Sequence, residues 1–275
     1  MRTHMIGVPS GVGDIYWCLA KIQSYRAKLG LERVLLGVQR TQHDRSVEWG
    51  RMVGFVDGAQ YVRFNASGIA LRQGFDPAPG VPGVDVVMWP NAVVDRGEHL
   101  CTWMPEYELN LDFKIATEQR NGRPGGDIVI YPSSRPVNKA WFPMLELAWW
   151  IELAQSLHAL FNRRVTMIGS AWDAENCAGL RSVSESLIGY TSLAEVAWIL
   201  EHAKLVIGVA SGMTILANHF QTPCIALFPD KHHARFPWTW VKPGTPYSVY
   251  RASSIPSAVE LAHEAFHLHV TRAVA

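Results

Sequence analysis

A short apolar strand, a glycine turn, a striped helix and a second apolar strand open this chain, and that order allows few folds. His4 to Val8 reads as the first strand, running into a turn that holds Ser10, Gly11, Val12, Gly13 and Asp14. Ile15, Cys18, Leu19, Ile22, Tyr25 and Leu29 then recur at helical spacing on one face. Gly30 stands where a helix end favours a residue without a Cβ. Val34 to Val38 is a near-continuous apolar run, the pattern of a parallel strand covered on both faces. Together these make a βαβ unit, whose crossover is right-handed. Between Thr41 and Leu111 the signals are sparser and predict a helix near Val47–Met52 and strands at Tyr61–Phe64 and Val84–Met88.

From Asn121 to Gly126 the composition turns to glycine, arginine and proline, which marks a linker and a domain boundary. A second alternation starts at once. It predicts a strand at Asp127–Tyr131, a helix over Phe142–Phe161 and a strand at Arg164–Ile168 that ends in Gly169 and Ser170. Ser192 and Glu195 have capping-box spacing and open a helix that runs to Ala203. Leu205–Val209 is a strand, Ser211 and Gly212 lead into a helix over Met213–Phe220, and Pro223–Phe228 is the next strand. A last helix starts at Ser257, with Glu260 completing another capping box. The expectation is an α/β chain of two doubly wound parallel-sheet domains, residues 1–121 and 127–255. A closing helix in 256–275 is expected to pack back on the first domain. In such sheets ligands collect beyond the carboxyl ends of the strands.

Composition narrows the function. Of 275 residues, 48% are hydrophobic and 18% charged, enough apolar material for sizeable cores and too little charge for global disorder. Twenty-five basic against 24 acidic residues exclude a polycation and an acidic tail protein, though not a local basic face. A mean hydropathy of +0.03 and the lack of a long charge-free apolar run argue against a membrane span. Met1 to Ser10 lacks the apolar run of a signal peptide. Cys18, Cys101, Cys177 and Cys224 are far apart, so neither structural zinc nor a disulfide framework is expected, and a reducing cytoplasm is. Eleven tryptophans are an excess, and indole rings commonly face sugars, bases or partners.

Four stretches have the residue types for binding or catalysis. The turn Ser10–Asp14 offers backbone amides at a helix start, plus a carboxylate. As a dinucleotide fingerprint it is incomplete, because Tyr16 fills the third glycine slot and Gln39–Arg40, not an acid, ends the second strand. Ser133, Ser134 and Lys139, with Trp141, follow the first strand of the second half and suit phosphate oxygens. Ser211, Gly212, Met213 and Thr214 sit at a strand-to-helix turn where hydroxyls and amides can hold phosphate. Gly169, Ser170 and Trp172 could hold a base by stacking. The fourth stretch, Asp230, Lys231, His232, His233 and on to Trp238, Trp240 and Lys242, is cationic and aromatic. Adjacent histidines make it poor for a metal and better for a sugar, phosphate or nucleic-acid strand. Each stretch alone has an ordinary explanation as a helix cap, a polar loop or close strand–helix packing.

The order of these stretches resembles the ADP-heptose:lipopolysaccharide heptosyltransferases of glycosyltransferase family 9. The resemblance runs through Gly13-Asp14, Pro132–Ser134 with Lys139–Trp141, Ile168–Ser170, Ile188–Glu195, Ala203–Gly212, and Leu216 to Phe228. It covers most of residues 127–240 and only the opening unit of the first half. It implies the GT-B fold, two Rossmann-like domains facing across a cleft, and a metal-independent inverting glycosyltransferase. Asp14 would be the general base toward an acceptor hydroxyl. Ser133, Ser134, Lys139, Ser211, Gly212 and Thr214 would bind the donor diphosphate, and Gly169, Ser170, Trp172 and Met213 its base and sugar. Gly11, Gly13, Tyr16, Asp230, Lys231, His232, His233 and Trp238 would meet the acceptor or border it. Domain closure would exclude water. No cofactor is implied beyond a nucleotide-sugar co-substrate, linked through ADP, UDP or GDP, and the expected molecule is a monomer in a bacterial cytoplasm or, for a bacteriophage protein, in that of the host.

The family usually carries an acid before the Ser/Thr-Gly pair and a histidine three residues beyond that glycine, whereas Ala210 and Ile215 stand here. Alternatives therefore stay open. One is a phage-type transferase acting on a hydroxymethylated pyrimidine base in double-stranded DNA, which would need the base flipped out. A second is a non-catalytic nucleotide-sugar-binding module. A third is an NADP-dependent oxidoreductase using Arg40.

Overall fold

The computed structural model describes residues 3–40, 45–64, 75–77, 81–95, 100–120, 122–133, 145–174, 177–228, 230 and 241–270. Two compact units divide the chain. One is built on Met1–Thr117 with Ser192–Ala194, the other on Glu118–Thr191, Glu195–Ala234 and Val241–Ala275.

The first unit contains β1 (Thr3–Val8), α1 (Val12–Lys28), β2 (Arg33–Gln39), α2 (Trp49–Met52), β3 (Ala59–Val62), β4 (Phe75–Pro77), β5 (Val86–Met88) and α3 (Asn91–Asp95). The sheet order is β3-β2-β1-β5-β4, parallel throughout except where β4 runs against β5. Ile6, Val8, Val34, Leu36 and Val38 are buried, as their unbroken apolar runs require. Gly30 ends α1 with φ +60°, a conformation a Cβ would strain. The strand predicted at Tyr61–Phe64 instead begins at Ala59, because Leu36 pairs with Ala59 and the ladder ends at Val62. Phe64 has left the sheet and packs edge-on against Trp89. β4 was not expected; three residues containing a proline carry no readable period. Beyond α3, the irregular stretch to Thr117 is fastened to α1 by Lys21, whose buried ammonium donates to the carbonyls of Met104 and Tyr107 at 3.3 and 2.7 Å.

The second unit contains β6 (Ile128–Tyr131), α4 (Leu147–Phe161), β7 (Val165–Met167), β8 (Glu185–Ser186), α5 (Leu193–Glu201), β9 (Leu205–Val209), α6 (Gly212–His219), β10 (Cys224–Phe228), β11 (Tyr247–Arg251) and α7 (Ala258–Val270). Its six parallel strands lie in the order β11-β10-β9-β6-β7-β8. Counted in chain order from the β8 edge, that is 3-2-1-4-5-6, the doubly wound dinucleotide-fold order. The predicted helix start at Phe142 lies outside the described residues, and α4 begins at Leu147 after an extended Glu146. β8 and β11 escaped the sequence reading. β8 has two polar residues, and β11 is a half-buried edge strand without an apolar run.

Helix α7 lies along α4 within this unit. Phe161 meets Phe266 edge-on, and the Trp149 indole donates to the carbonyl of Pro256 at 3.2 Å. Its N-terminus is the predicted capping box: the Glu260 carboxylate accepts from the Ser257 amide and hydroxyl, and Ser257 accepts from the Glu260 amide. These hydrogen bonds hold the Glu260 carboxyl below its usual range.

Candidate active site

A doubly wound sheet binds ligands where its strand order reverses, because the loops leaving the two central strands turn to opposite faces and open a crevice. In the first sheet that reversal lies between β1 and β5. The chain leaves β1 through Pro9 and Ser10 into α1, whose N-cap is Gly11 in extended conformation. Asp14 sits in the first turn of α1, half-buried. Its carboxylate folds back over the cap: a Cβ built on Gly11 would lie 2.5 Å from Asp14 Oδ2. Gly11 is thus the residue whose missing side chain leaves room for that carboxylate. One turn further on, Cys18 is fully buried, with its thiol 3.7 Å from the Met88 carbonyl at the end of β5. Burial, and then the Asp14 carboxylate, push that thiol's pKa well up.

The second sheet reverses between β6 and β9. Tyr131 pairs with Gly208, and a Cβ on Gly208 would lie 2.7 Å from the Tyr131 carbonyl oxygen, so glycine lets the two strands reach their ends in register. From β9 the chain passes Ala210 and Ser211 into α6. The Ser211 hydroxyl accepts from the Met213 amide at 3.2 Å, and the Thr214 hydroxyl accepts from the Ser211 amide at 3.1 Å. The Thr214 hydroxyl donates in turn to the Ser211 carbonyl at 2.9 Å. With Ser211 accepting from Met213, the first-turn amide of Gly212 remains a donor at the positive end of the helix dipole.

The predicted residues separate into groups. Ser133, Gly169, Ser170, Ser211, Gly212 and Met213 gather at the carboxyl ends of β6, β7 and β9, three adjacent strands. Ser134, Lys139, Lys231, His232, His233 and Trp238 lie outside the described residues, and Trp172 is described by its backbone alone, in the single turn Ala171–Asp173. Three of these side chains have partners within the chain. Thr214 is 1% exposed and its hydroxyl serves the α6 cap. Ser133 is also buried, and its hydroxyl donates to Asp173 at 2.6 Å, which leaves no proton for a phosphate oxygen. Tyr16 is a core residue packed against Trp17 and Phe113. Burial, and then Asp112, raise its phenol pKa. Gly13 is buried as well, and Asp230 is exposed with its carboxylate accepting from the amide and hydroxyl of Ser253.

One residue was missed. Asp173 is 1% exposed and joins two of the gathered turns, accepting from Ser133 Oγ and from the Ser170 amide at 2.8 Å. The signal was present: Ser170 followed three positions later by an acid is capping-box spacing. Asp173 also acts on its surroundings. Burial first, and then its charge, push the Cys177 thiol up to about 12 and the Tyr131 phenol well above its ordinary value. Among the described residues no three His, Cys, Asp or Glu side chains gather as metal ligands, and no helix is long and apolar enough to cross a membrane.

Two doubly wound sheets, with a helix-start carboxylate at one reversal and a helix N-terminus beside polar turns at the other, define a protein of the GT-B class. Residues 97–257 match the model of glycosyltransferase family 9 (heptosyltransferase). The chain belongs to that family and is a glycosyltransferase. Solved structures share the fold at low identity. The ADP-heptose LPS heptosyltransferase II of E. coli is 12% identical, over 98% of this chain and 99% of that one, with a TM-score of 0.66. The family 9 glycosyl transferase of Veillonella parvula DSM 2008 is 9% identical, over 98% and 97%, also at 0.66. E. coli heptosyltransferase WaaC, solved with ADP, is 15% identical, over 98% and 100%, at 0.58. No curated protein matches by sequence.

Proposed function

We propose that this chain moves a sugar from a nucleotide-sugar donor to an acceptor hydroxyl with inversion at the anomeric carbon and without a metal ion. Asp14 is the general base. As the acceptor oxygen bonds to the anomeric carbon, its proton passes to the Asp14 carboxylate. The bond from that carbon to the diphosphate oxygen breaks, and the nucleoside diphosphate leaves with the electron pair. A carboxylate serves because the hydroxyl acidifies only as the new bond forms in an oxocarbenium-like transition state. The turns after β6, β7 and β9 hold the donor, with the Gly212 amide and the α6 dipole facing the diphosphate and Ser134 and Lys139 assisting. The observation that carries this reading is the strand order of the second sheet, which places the α6 N-terminus at the reversal between β6 and β9.

WaaC was solved with ADP and with ADP-2-deoxy-2-fluoro heptose, which makes an ADP-linked sugar the donor to test first. The likeness to the ADP-heptose LPS heptosyltransferase II of E. coli makes a glycan hydroxyl the acceptor to test first. A cytoplasmic location is supported by Cys18, Cys177 and Cys224, which are buried and unpaired. Thermal shift against ADP-, UDP-, GDP- and CMP-sugars tests the donor, since a ligand at 100 times its Kd stabilises by about 2.7 kcal/mol. Asp14→Asn is expected to abolish turnover and leave donor affinity nearly unchanged. Full turnover in that variant, or no shift with any donor, sinks the proposal.

A further inference from the structure

Asp173 carries the inference. Its carboxylate is 1% exposed, a costly place for a charge-bearing group unless its oxygens are well satisfied. Each oxygen has a separate partner. Oδ1 accepts from Ser133 Oγ at 2.6 Å, and Oδ2 accepts from the Ser170 amide at 2.8 Å. Ser133 lies two residues beyond β6 and Ser170 three beyond β7, and these strands are hydrogen-bonded neighbours. The carboxylate therefore ties together two turns 40 positions apart from Ser133 to Asp173.

Gly169 completes the arrangement. A Cβ there would lie 2.9 Å from Asp173 Oδ2 and 3.3 Å from both Asp173 Cβ and Ile188 Cγ1, so only glycine lets the carboxylate rest against the strand end. The Gly169 carbonyl accepts from the Gly189 amide at 3.0 Å, which draws a third segment into the same brace. An exposed carboxylate here would repel a diphosphate; a buried one saturated by donors can fix the turns without touching the ligand.

We propose that Asp173 is a positioning residue for the donor: it sets the spacing and orientation of the turns after β6 and β7, so that the groups they carry are preorganised for a nucleoside diphosphate. The inference rests on the donor reading above. It also gives Ser133 a role, since a hydroxyl that donates to Asp173 orients its turn rather than contacting phosphate.

The test is calorimetric titration of the full chain with ADP, UDP, GDP and CDP, using wild type, Asp173→Ala, Asp173→Asn and Ser133→Ala. For whichever diphosphate the wild type binds, Asp173→Ala is expected to weaken affinity about tenfold, the scale of one lost buried hydrogen bond. Asp173→Asn can still accept from the Ser170 amide through Oδ1 and donate to Ser133 through its amide nitrogen. It is expected to stay within about threefold of wild type, as retention of both hydrogen bonds requires. Deuterium exchange at the Ser170 amide should quicken in the alanine variant and not in the asparagine variant. If Asp173→Ala does not fold, Ser133→Ala removes one arm of the brace and should weaken binding about threefold. A folded Asp173→Ala protein with wild-type affinity, an asparagine variant as weak as the alanine one, or unchanged affinity in Ser133→Ala overturns the assignment. If the wild type binds none of the four diphosphates, the donor reading fails and takes the inference with it, an outcome distinct from all of these.

Discussion

The guanidinium of Arg123 and the carboxylate of Asp127 meet beneath the second sheet, 2.5 Å apart at their closest atoms, with side chains only 7% and 9% exposed. Asp127 stands just before β6, so this pair lies at the amino ends of the strands, away from the turns that form the candidate site. Arg164, just before β7, donates twice to the other Asp127 oxygen, and Thr166 donates to the first. Arg123 reaches Glu185 on β8 as well. The cluster of Asp127 with Arg123 and Arg164 thus ties together three neighbouring strands.

Removing Arg123 takes one of two guanidiniums from the buried Asp127 carboxylate and leaves it to Arg164 and Thr166. Arg123→Ala is expected to cost about 1.5–3 kcal/mol of stability. Donor affinity per folded molecule should be unchanged, because the network sits at the opposite end of the strands. Urea denaturation alongside binding checks both; a loss under 1 kcal/mol would show Asp127 adequately held by Arg164 alone.

Gly11 and Asp14 give a sharper separation of stability from activity. Gly11 has φ −72°, which alanine adopts freely, and the atom its Cβ meets is the movable end of a side chain, so Gly11→Ala should cost no more than about 1 kcal/mol, the loss of a good N-cap residue. Its Cβ would nonetheless occupy the space of Asp14 Oδ2. Turnover should fall about 100-fold as the carboxylate is displaced, with melting temperature preserved. Unaltered turnover would mean that the position of this carboxylate does not matter.

Gly208→Ala drives a Cβ against backbone at 2.7 Å, and backbone cannot swing aside. A loss of about 1–3 kcal/mol is expected as β6 and β9 are forced apart. Gly54→Ala is the control: it has open space within 4 Å, and its stability should stay within about 0.5 kcal/mol of wild type.

Alkaline stability tests the first unit. The Tyr25 hydroxyl is bonded to the His4 ring at 2.9 Å. Burial first, then Tyr107 and Asp85, push its pKa from 10.0 up to about 12. A phenol whose folded pKa is raised contributes stability that is complete below pH 10 and lost as pH climbs toward 12. Tyr25→Phe should therefore fall off less steeply than wild type over that window in urea melts at stepped pH. Parallel curves would show that Tyr25 keeps an ordinary pKa.

Much of the architecture was legible because its signals are local. Buried parallel strands such as Val34–Val38, Ile128–Tyr131 and Leu205–Val209 need unbroken apolar runs, and Gly30, Ser257 and Glu260 mark helix ends through backbone chemistry that one turn of sequence specifies. β8 and β11 were invisible because an edge strand can be short or half-polar and still pair. At the site, Asp14 and the Ser211-Gly212 turn could be located from their place between strand and helix. The stretch 122–126 behaved as a turn at Gly122 and Gly126, with φ of 66° and 93°, yet between them it buries Arg123, which no composition rule foretells.

The chain's own pattern determined that strands and helices alternate, where each glycine or serine turn begins, and which acid stands at a helix start, since all of these follow from interactions within one turn or one strand. Only the folded sheets decided strand order, hence which turns become neighbours, and which hydroxyls are spent inward. Ser133 and Thr214 look like ligand contacts in one dimension because they are polar and follow strands. They are committed to Asp173 and to the α6 cap because a buried proton must have an acceptor, and partners across 40 residues are brought within hydrogen-bond reach by strand pairing alone.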